Sequence, residues 1–256
     1  PAGVPILAVM GDSHAALYGH GVRAPGPVKA TLGTGSSLMT LTPVRRLSAY
    51  GLSGSVAWST RAGGPADALE GNITVSAQAA AWAAGLLGLP DAAALFELAA
   101  SVEGSDGVAF VPALAGLGAP HWDEAARGTV AGLTLASRPA HLARATLEAI
   151  ALQVADVFEA MEGDVGHRLE SLRADGGAST SDLLMQIQAD LLDRPVSRGE
   201  VAEVGALGVA VMAFEALGHP LPAEGVARTF APVMDHARRE ATRATWRLAL
   251  RRARLA

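Results

Sequence analysis

The chain has no cysteine among its 256 residues, and Lys29 is the only lysine among its 20 basic residues. The absence of thiols excludes a disulfide scaffold, an iron–sulfur cluster, a thiolate metal site and a cysteine nucleophile. Charged residues make up only 18%, which favours a well-packed globular protein over a disordered one. The net charge of −5 gives no general attraction to nucleic acid or to anionic lipid, so we expect neither as a partner.

Long hydrophobic runs are also missing. The two most apolar segments, Val75–Leu89 and Ala206–Leu217, are shorter than the roughly 18 residues of a membrane span, and each contains a polar residue. We predict that both form buried helices. The N-terminus lacks the features of a secretory signal, so we expect a cytoplasmic protein. The chain begins at Pro1 rather than at Met, which suggests a fragment of a longer protein.

Several common nucleotide and hydrolase motifs do not occur. The chain has no phosphate-binding Gly-x-x-x-x-Gly-Lys-Ser/Thr loop, no Gly-x-Gly-x-x-Gly fingerprint and no Gly-x-Ser-x-Gly elbow. No two of the seven histidines are three or four residues apart, which disfavours a histidine metal site on one helix. If the protein binds a nucleotide, it does so through other sequences.

Hydrophobic periodicity predicts one α/β domain with a mixed sheet, because strands come first and strands and helices then alternate. The predicted strands are Ile6–Met10, Val28–Leu32, Ser37–Leu41, Gly54–Ser59, Gly107–Pro112, Gly128–Leu135 and Leu169–Ala174. The predicted helices are Val75–Leu87, Ala92–Ala100 with Asp91 as its cap, Pro139–Met161, Ser181–Leu192, Ala202–Leu217 and Asp235–Leu255.

A carboxylate follows the first strand-like run, in the segment Gly11-Asp12-Ser13-His14. At the end of a strand in an α/β sheet, Asp12 would lie where ligands usually bind. Asp12 could equally cap a helix that starts at Ser13, and a capping residue can also act as a base. We interpret His14 as a structural hydrogen-bonding residue.

Two glycine-containing turns could approach a ligand closely. Gly33-Thr34-Gly35 lies between two predicted strands, where small residues and a hydroxyl suit a phosphate group, although a tight hairpin turn is the simpler explanation. Asp175-Gly176-Gly177-Ala178-Ser179 lies between a strand and a helix, whose N-terminus is available to an anion. The rigid segment Gly116–Gly128 suggests a structural or gating element, with Asp123 and Arg127 as a local ion pair.

Together, eight segments resemble the C-terminal half of the FGGY carbohydrate kinases, and they occur in the same order over nearly the whole chain. They are Gly11–Leu17, Leu32–Ser36, Leu69–Asn72, Gly116–Gly128, Ala145–Ala151, Asp175–Ser179, Gln186–Asp190 and Glu203–Gly208. The resemblance implies an α/β fold of the actin-like, ribonuclease-H-like class, with a mixed sheet flanked by helices. It also implies that residues 1–256 form the nucleotide-binding domain, and that an N-terminal substrate domain is absent from this chain.

The resemblance further implies an ATP- and Mg²⁺-dependent kinase that phosphorylates a sugar or polyol hydroxyl. Asp12 then matches the general base, and Gly33, Thr34 and Gly35 match the loop against the ATP phosphates. Gly176 and Gly177 match the adenosine-binding turn, and Ser181 occupies the position of an adenine-contacting residue. No residue is assigned as a metal ligand. We expect the isolated 256 residues to be inactive as a kinase.

The chain departs from the glycerol kinases at five positions, one of which is Ser181, where those kinases usually have an adenine-contacting Asn. Ser13 replaces the Gln that usually follows the base, and Ser37 replaces an aromatic residue after the Gly-Thr-Gly turn. Ala77 and Ala81 replace a Gly and a Gln that contact the nucleotide. These substitutions favour a bulkier polyol or ketose over glycerol. A non-catalytic actin-like ATPase scaffold and a degenerate kinase remain alternatives, and a homodimer is left open.

Overall fold

The computed structural model describes residues 3–61 and 63–254. Seven strands form one mixed sheet in the order β3-β4-β2-β1-β7-β8-β9, and β5 and β6 form a separate two-stranded ribbon. The strands are β1 (Pro27–Leu32), β2 (Ser36–Thr42), β3 (Ser53–Thr60), β4 (Gly64–Ile73), β5 (Ala109–Val111), β6 (Thr129–Ala131), β7 (Ser171–Asp175), β8 (Val196–Arg198) and β9 (Arg228–Phe230). The helices are α1 (Asp12–Gly19), α2 (Gln78–Leu86), α3 (Ala92–Ala100), α4 (Pro139–Val165), α5 (Asp182–Leu192), α6 (Val204–Ala216) and α7 (His236–Ala253).

Strand direction changes at the centre of the sheet. β1 pairs with β2 in antiparallel register, as do β2 with β4 and β3 with β4. On its other side β1 pairs in parallel with β7, so that Thr31 is the partner of Asp175. The carboxyl ends of β1 and β7 therefore meet at one edge of the sheet, and both glycine turns follow there.

The sheet has two chemically different faces. Val28, Ala30 and Leu32 of β1 belong to the main apolar core together with the long helix α4 and with α5. The alternate residues of β1 face the other way, as the two-residue period of a strand requires. On that side Met39 and Leu41 pack against Leu17 of α1. Helix α1 in turn packs against α6.

Most predicted helices are confirmed, including α3 with its cap: the Asp91 side chain accepts a hydrogen bond from the Ala94 amide at 2.9 Å. The strand prediction for Ile6–Met10 is wrong, because this segment has no ladder partner among the described residues and much of its apolar surface is exposed. Strand β4 was missed because Pro65, Gly71 and Asn72 are poor strand formers. Strands β8 and β9 are only three residues long, too short for a periodic signal.

The predicted ion pair between Asp123 and Arg127 is also wrong. Asp123 accepts a hydrogen bond from Arg254 at 3.0 Å, and this hydrogen bond holds the pKa of its carboxyl below the usual value. The Arg127 guanidinium instead donates to the backbone carbonyls of residues 124–126. The segment therefore connects to the C-terminal helix α7 rather than closing on itself. No helix among the described residues is both long enough and apolar enough to cross a membrane.

Candidate active site

Asp12 is the first residue of α1, with Gly11 in the capping position. Among the described residues, no side chain caps the helix, and the exposed Asp12 carboxylate accepts a hydrogen bond only from the neighbouring Ser13 amide at 2.7 Å. The capping interpretation is therefore wrong. The segment before Asp12 is not a strand. The N-terminus of helix α1 therefore positions this carboxylate, rather than the C-terminal end of a strand.

Helix α1 is fixed in place by its close crossing with α6. A Cβ atom added at Gly208 of α6 would lie 1.8 Å from the Ala15 carbonyl oxygen, and one added at Gly19 would lie 2.3 Å from the Val204 carbonyl oxygen. Backbones can approach this closely only where neither helix has a side chain. The Gly-rich sequence of α6 thus determines where α1 holds Asp12.

Asp12 opens into a cleft of about 690 Å³ at the edge of the sheet. Ser13 of α1, Thr31 of β1 and the Gly176–Gly177 turn after β7 line the same cleft. Its far wall is formed by residues 198–205 together with Glu224. The structure therefore brings the predicted base and the predicted adenosine-binding turn into one cavity.

The Gly176–Gly177 turn has a conformation that few other residues could adopt. Gly176 has φ of +87°, and a Cβ atom there would lie 2.7 Å from the Leu32 carbonyl oxygen. A Cβ atom at Gly177 would meet nothing within 4 Å, so this residue is open to the cleft. The Arg198 guanidinium stabilises the turn by donating to the carbonyls of Ser179 and Thr180 at 2.8 and 2.9 Å.

Ser181 lies at the N-terminus of α5, where its side chain accepts a hydrogen bond from the Leu184 amide at 3.3 Å. This hydroxyl thus caps a helix, and Ser181 is not among the residues that line the cleft. Ser179 and Thr180, just before it, do line the cleft.

The Gly33-Thr34-Gly35 turn connects β1 to β2 and is tied to the start of α2. The Thr34 carbonyl accepts a hydrogen bond from the Ser76 amide at 2.9 Å, and the Gly33 carbonyl accepts one from the Ala77 amide at 3.1 Å. Thr34 and Ala81 are exposed, and Ala77 is half-buried. These predicted phosphate-binding residues therefore cluster together. The Gly33-Thr34-Gly35 turn follows the end of β1, and Ala77 and Ala81 lie at the start of α2. None of these five residues is among those that line the Asp12 cleft.

Ser37, which stands where the glycerol kinases have an aromatic residue and which we expect to contact the substrate together with Asp12 and Ser13, lies on β2 and donates a hydrogen bond to Glu70 at 3.1 Å. Beneath it, the Lys29 ammonium is completely buried, 3.5 Å from the Ser37 carbonyl oxygen. Burial lowers the pKa of Lys29, while the carboxylates of Asp175, Glu70 and Asp12 act in the opposite direction. His14 has the structural contact expected of it, 3.3 Å from the Ser55 hydroxyl.

Sequence reasoning missed Arg198 and Glu224 as part of this site. Arg198 lies on the short strand β8, and Glu224 lies in an irregular segment between α6 and β9, so neither belonged to a recognisable motif. The parallel pairing of β7 with β8 brings Arg198 beside the glycine turn. Only the three-dimensional arrangement identifies these residues.

The cleft suits a nucleotide, because the bare backbone at Gly177 lies open to it and Gly176 leaves no room for a side chain. Within residues 3–61 and 63–254, no group of three or more histidine or carboxylate side chains is placed to hold a metal ion. Mg²⁺ at nucleotide sites usually takes only one or two carboxylates, and phosphate and water supply its other ligands. The exposed carboxylates of Asp12, Glu200 and Glu203 on the cleft lining satisfy that smaller requirement.

Comparison with known proteins agrees with this architecture. Residues 28–217 match the sequence profile described as the FGGY family of carbohydrate kinases, C-terminal domain. An apulose kinase of Pectobacterium atrosepticum is 55% identical over 84% of this chain and 43% of its own length. A glycerol kinase of Aromatoleum aromaticum is 46% identical over 99% of this chain and 52% of its own length.

Among solved structures, a Plasmodium falciparum glycerol kinase with ADP superposes with a TM-score of 0.89 at 28% identity, covering 95% of this chain and 50% of that one. The fold is thus the actin-like, ribonuclease-H-like arrangement expected from the sequence, with a mixed sheet flanked by helices. The chain spans about half the length of the curated relatives it matches. The match to the profile over most of the chain, together with these identities, shows that the chain belongs to the FGGY family of carbohydrate kinases.

Proposed function

We propose that residues 1–256 are the nucleotide-binding half of a two-domain kinase that transfers a phosphoryl group from ATP to a hydroxyl of a sugar or polyol. The observation that supports this proposal best is the single cleft shared by the Asp12 carboxylate and the Gly176–Gly177 turn. This half of the kinase must supply two components, a general base for the attacking hydroxyl and a binding site for the nucleotide.

Asp12 is the general base in this proposal. Its carboxylate is exposed to the cleft, and the helix does not use it as a cap, so it is free to accept a proton from the substrate hydroxyl. The close Gly19–Gly208 crossing packs α1 directly against α6, and this packing positions the carboxylate. Phosphoryl transfer depends mainly on such positioning.

ATP is the nucleotide. Gly176 and Gly177 hold the adenosine, and Gly33, Thr34 and Gly35 approach the β- and γ-phosphates, with Ala77 and Ala81 on the adjoining start of α2. Ser181 contributes through the α5 N-terminus, which it caps. Mg²⁺ bound with ATP would neutralise charge on the phosphate oxygens. Domain closure over both substrates would exclude water, which otherwise competes for the phosphoryl group.

We propose a ketose or a larger polyol as the acceptor, contacted from this half by Ser13 and Ser37. Ser13, which lines the cleft with Asp12, leaves more room there than a long amide would, and Ser37 is likewise smaller than an aromatic ring. The relative named apulose kinase has a higher sequence identity to this chain than the glycerol kinase of Aromatoleum aromaticum. Apulose is therefore the first acceptor to test.

A non-catalytic ATPase scaffold is the second candidate, and the alanines at positions 77 and 81 would suit a degenerate nucleotide site. The exposed Asp12 argues against both the scaffold and the degenerate kinase, because neither needs a carboxylate that, in the described part of the chain, caps no helix and forms no ion pair. An assay of the complete protein distinguishes these candidates. The complete protein is incubated with ATP and one acceptor at a time, and a coupled assay measures the release of ADP. The acceptors are apulose, xylulose, ribulose, gluconate and glycerol.

We expect ATP-dependent phosphorylation of a ketose, with a higher kcat/KM than for glycerol. The isolated 256-residue chain serves as the matched control and should form no sugar phosphate. Turnover by this chain alone would contradict the two-domain proposal. No turnover with any acceptor, accompanied by ATP hydrolysis or ATP binding, would favour the scaffold.

A further inference from the structure

A buried histidine joins two carboxylates directly behind the cleft. His20 is only 4% exposed, and its Nε2 atom lies 2.6 Å from Oδ2 of Asp175, which is 9% exposed. Its Nδ1 atom lies 2.8 Å from Oε2 of Glu224, which is 3% exposed. Among the residues that the structure describes, that Glu224 oxygen has no well-aligned hydrogen bond, so His20 Nδ1 contacts it as a close charge partner. The proposed phosphoryl transfer assigns no role to this cluster.

The three side chains connect separate parts of the site. His20 directly follows α1, the helix that begins at Asp12. Asp175 ends β7 and immediately precedes the Gly176–Gly177 turn. Glu224 lies in the far wall of the cleft, where its other carboxylate oxygen accepts a hydrogen bond from the Val201 amide at 3.1 Å. Both carboxylates therefore line the cleft while His20 ties them to α1.

The geometry favours a charged imidazole. Each ring nitrogen lies within 2.8 Å of a carboxylate oxygen, and only the protonated ring presents an N–H group and a positive charge to both oxygens. Burial alone would lower the pKa of His20, but the hydrogen bonds and charges of Asp175 and Glu224 outweigh it and raise that pKa above its usual value. Other charged groups near the cluster are Arg173, whose guanidinium donates to the His20 carbonyl, Arg198 on β8 and Lys29 on β1. The carboxylates of Asp12, Glu200 and Glu203 line the same cleft as Asp175 and Glu224.

We propose that His20 is a positioning residue of the nucleotide site: its imidazolium holds Asp175 and Glu224 at a fixed separation, and this sets how tightly the cleft binds ADP and ATP. The inference rests on the proposed nucleotide site. When the ring loses its proton, one carboxylate faces a lone pair, the two walls separate, and the Gly176–Gly177 turn is no longer held against α1. Nucleotide affinity should therefore fall as the pH rises.

The test compares ADP affinity in the complete protein by isothermal titration calorimetry between pH 7 and pH 9.5, where the ADP phosphates stay ionised. The variant His20→Gln keeps one amide donor but does not titrate. We expect it to bind ADP on the order of tenfold more weakly than wild type at pH 7, as for one lost hydrogen bond to a charged group. We also expect its affinity to stay constant across this range, while the wild-type affinity falls. The exposed His167 provides the matched control, His167→Gln, which should follow the wild-type profile.

A second readout does not depend on nucleotide. In histidine-labelled protein, the ring resonances that disappear in His20→Gln should report an imidazolium at pH 7. A neutral ring at pH 7 would overturn the proposal. Equal affinities and equal pH profiles for wild type and His20→Gln would also overturn it while leaving the nucleotide site intact. Absence of ADP binding in the wild type and in every variant would instead refute the proposed function, and the positioning role with it.

Discussion

The face of the sheet beneath α4 and α5 packs mainly apolar side chains, such as Leu32, Leu172 and Phe158. The face beneath α1 buries charges, with Lys29, His20 and Asp175 all less than a tenth exposed. Burying charge costs free energy unless partners compensate for it, so such groups are a poor way to stabilise a fold. Charged residues are also buried on the helices of the first side and in the loop after α5, namely Arg144, Asp190, Arg194, Arg239 and Arg243. The charges under α1 differ in that Asp175 lines the cleft, so we infer that the first face mainly provides stability and the second provides a site.

The largest difference between the two faces should appear on truncation of the apolar one. Phe158 on α4 is fully buried in the main core, and Phe158→Ala should lower the free energy of unfolding by about 3–5 kcal/mol. Phe214→Ala on α6, where the ring is largely exposed, should cost about 1 kcal/mol or less. Urea denaturation measures both. Equal losses would mean that the core is not where the packing indicates.

The α1–α6 crossing should be the next most sensitive feature. A methyl group at Gly208 would overlap the Ala15 carbonyl, and backbone atoms cannot swing aside, so Gly208→Ala should cost about 1–3 kcal/mol. Gly85 on α2 has open space around it, and Gly85→Ala should stabilise by about 0.5–1 kcal/mol. Opposite signs in thermal denaturation support the close crossing, and stabilisation by both alanines would contradict it.

We expect the smallest effect in the pH dependence of stability, which should differ between the two faces of the sheet. Because the pKa of His20 is raised in the folded state, its contribution to stability is complete below its unfolded pKa of about 6.5 and is lost as the pH rises through the folded pKa. The stability difference between wild type and His20→Gln should therefore be largest near pH 6 and shrink toward pH 9. The loss caused by Phe158→Ala should not change over this range. If the stability difference between wild type and His20→Gln stays constant with pH, the His20 imidazolium does not stabilise the fold.

Local sequence signals were sufficient for the helices of the apolar face, but not for the strands β4, β8 and β9 that contribute to the same core. The predicted helix Pro139–Met161 corresponds to α4, and Asp91 caps α3 as predicted. An amphipathic helix can be predicted because its buried apolar residues recur at helical spacing in the sequence. The two glycine turns were also predicted, although neither turn alone indicated more than a change of chain direction.

The charged face could not be predicted in the same way. His20, Asp175 and Glu224 are far apart along the chain, and their meeting depends on the parallel pairing of β1 with β7 and on an irregular segment after α6. Asp12 was assigned to the end of a strand, because the apolar run before it has the composition of one. A strand needs a partner, and none of the described residues provides it.

The most direct test of the whole account is the turnover of the complete protein after Asp12→Asn, which keeps the shape of the side chain and removes its basicity. We expect kcat to fall by about 10²–10⁴-fold while the KM for ATP stays nearly unchanged, because the amide cannot accept the proton of the attacking hydroxyl. Glu97→Gln, an exposed change on α3, serves as the control and should retain full activity. An Asp12→Asn enzyme that keeps most of its turnover would contradict the assignment of Asp12 as the base.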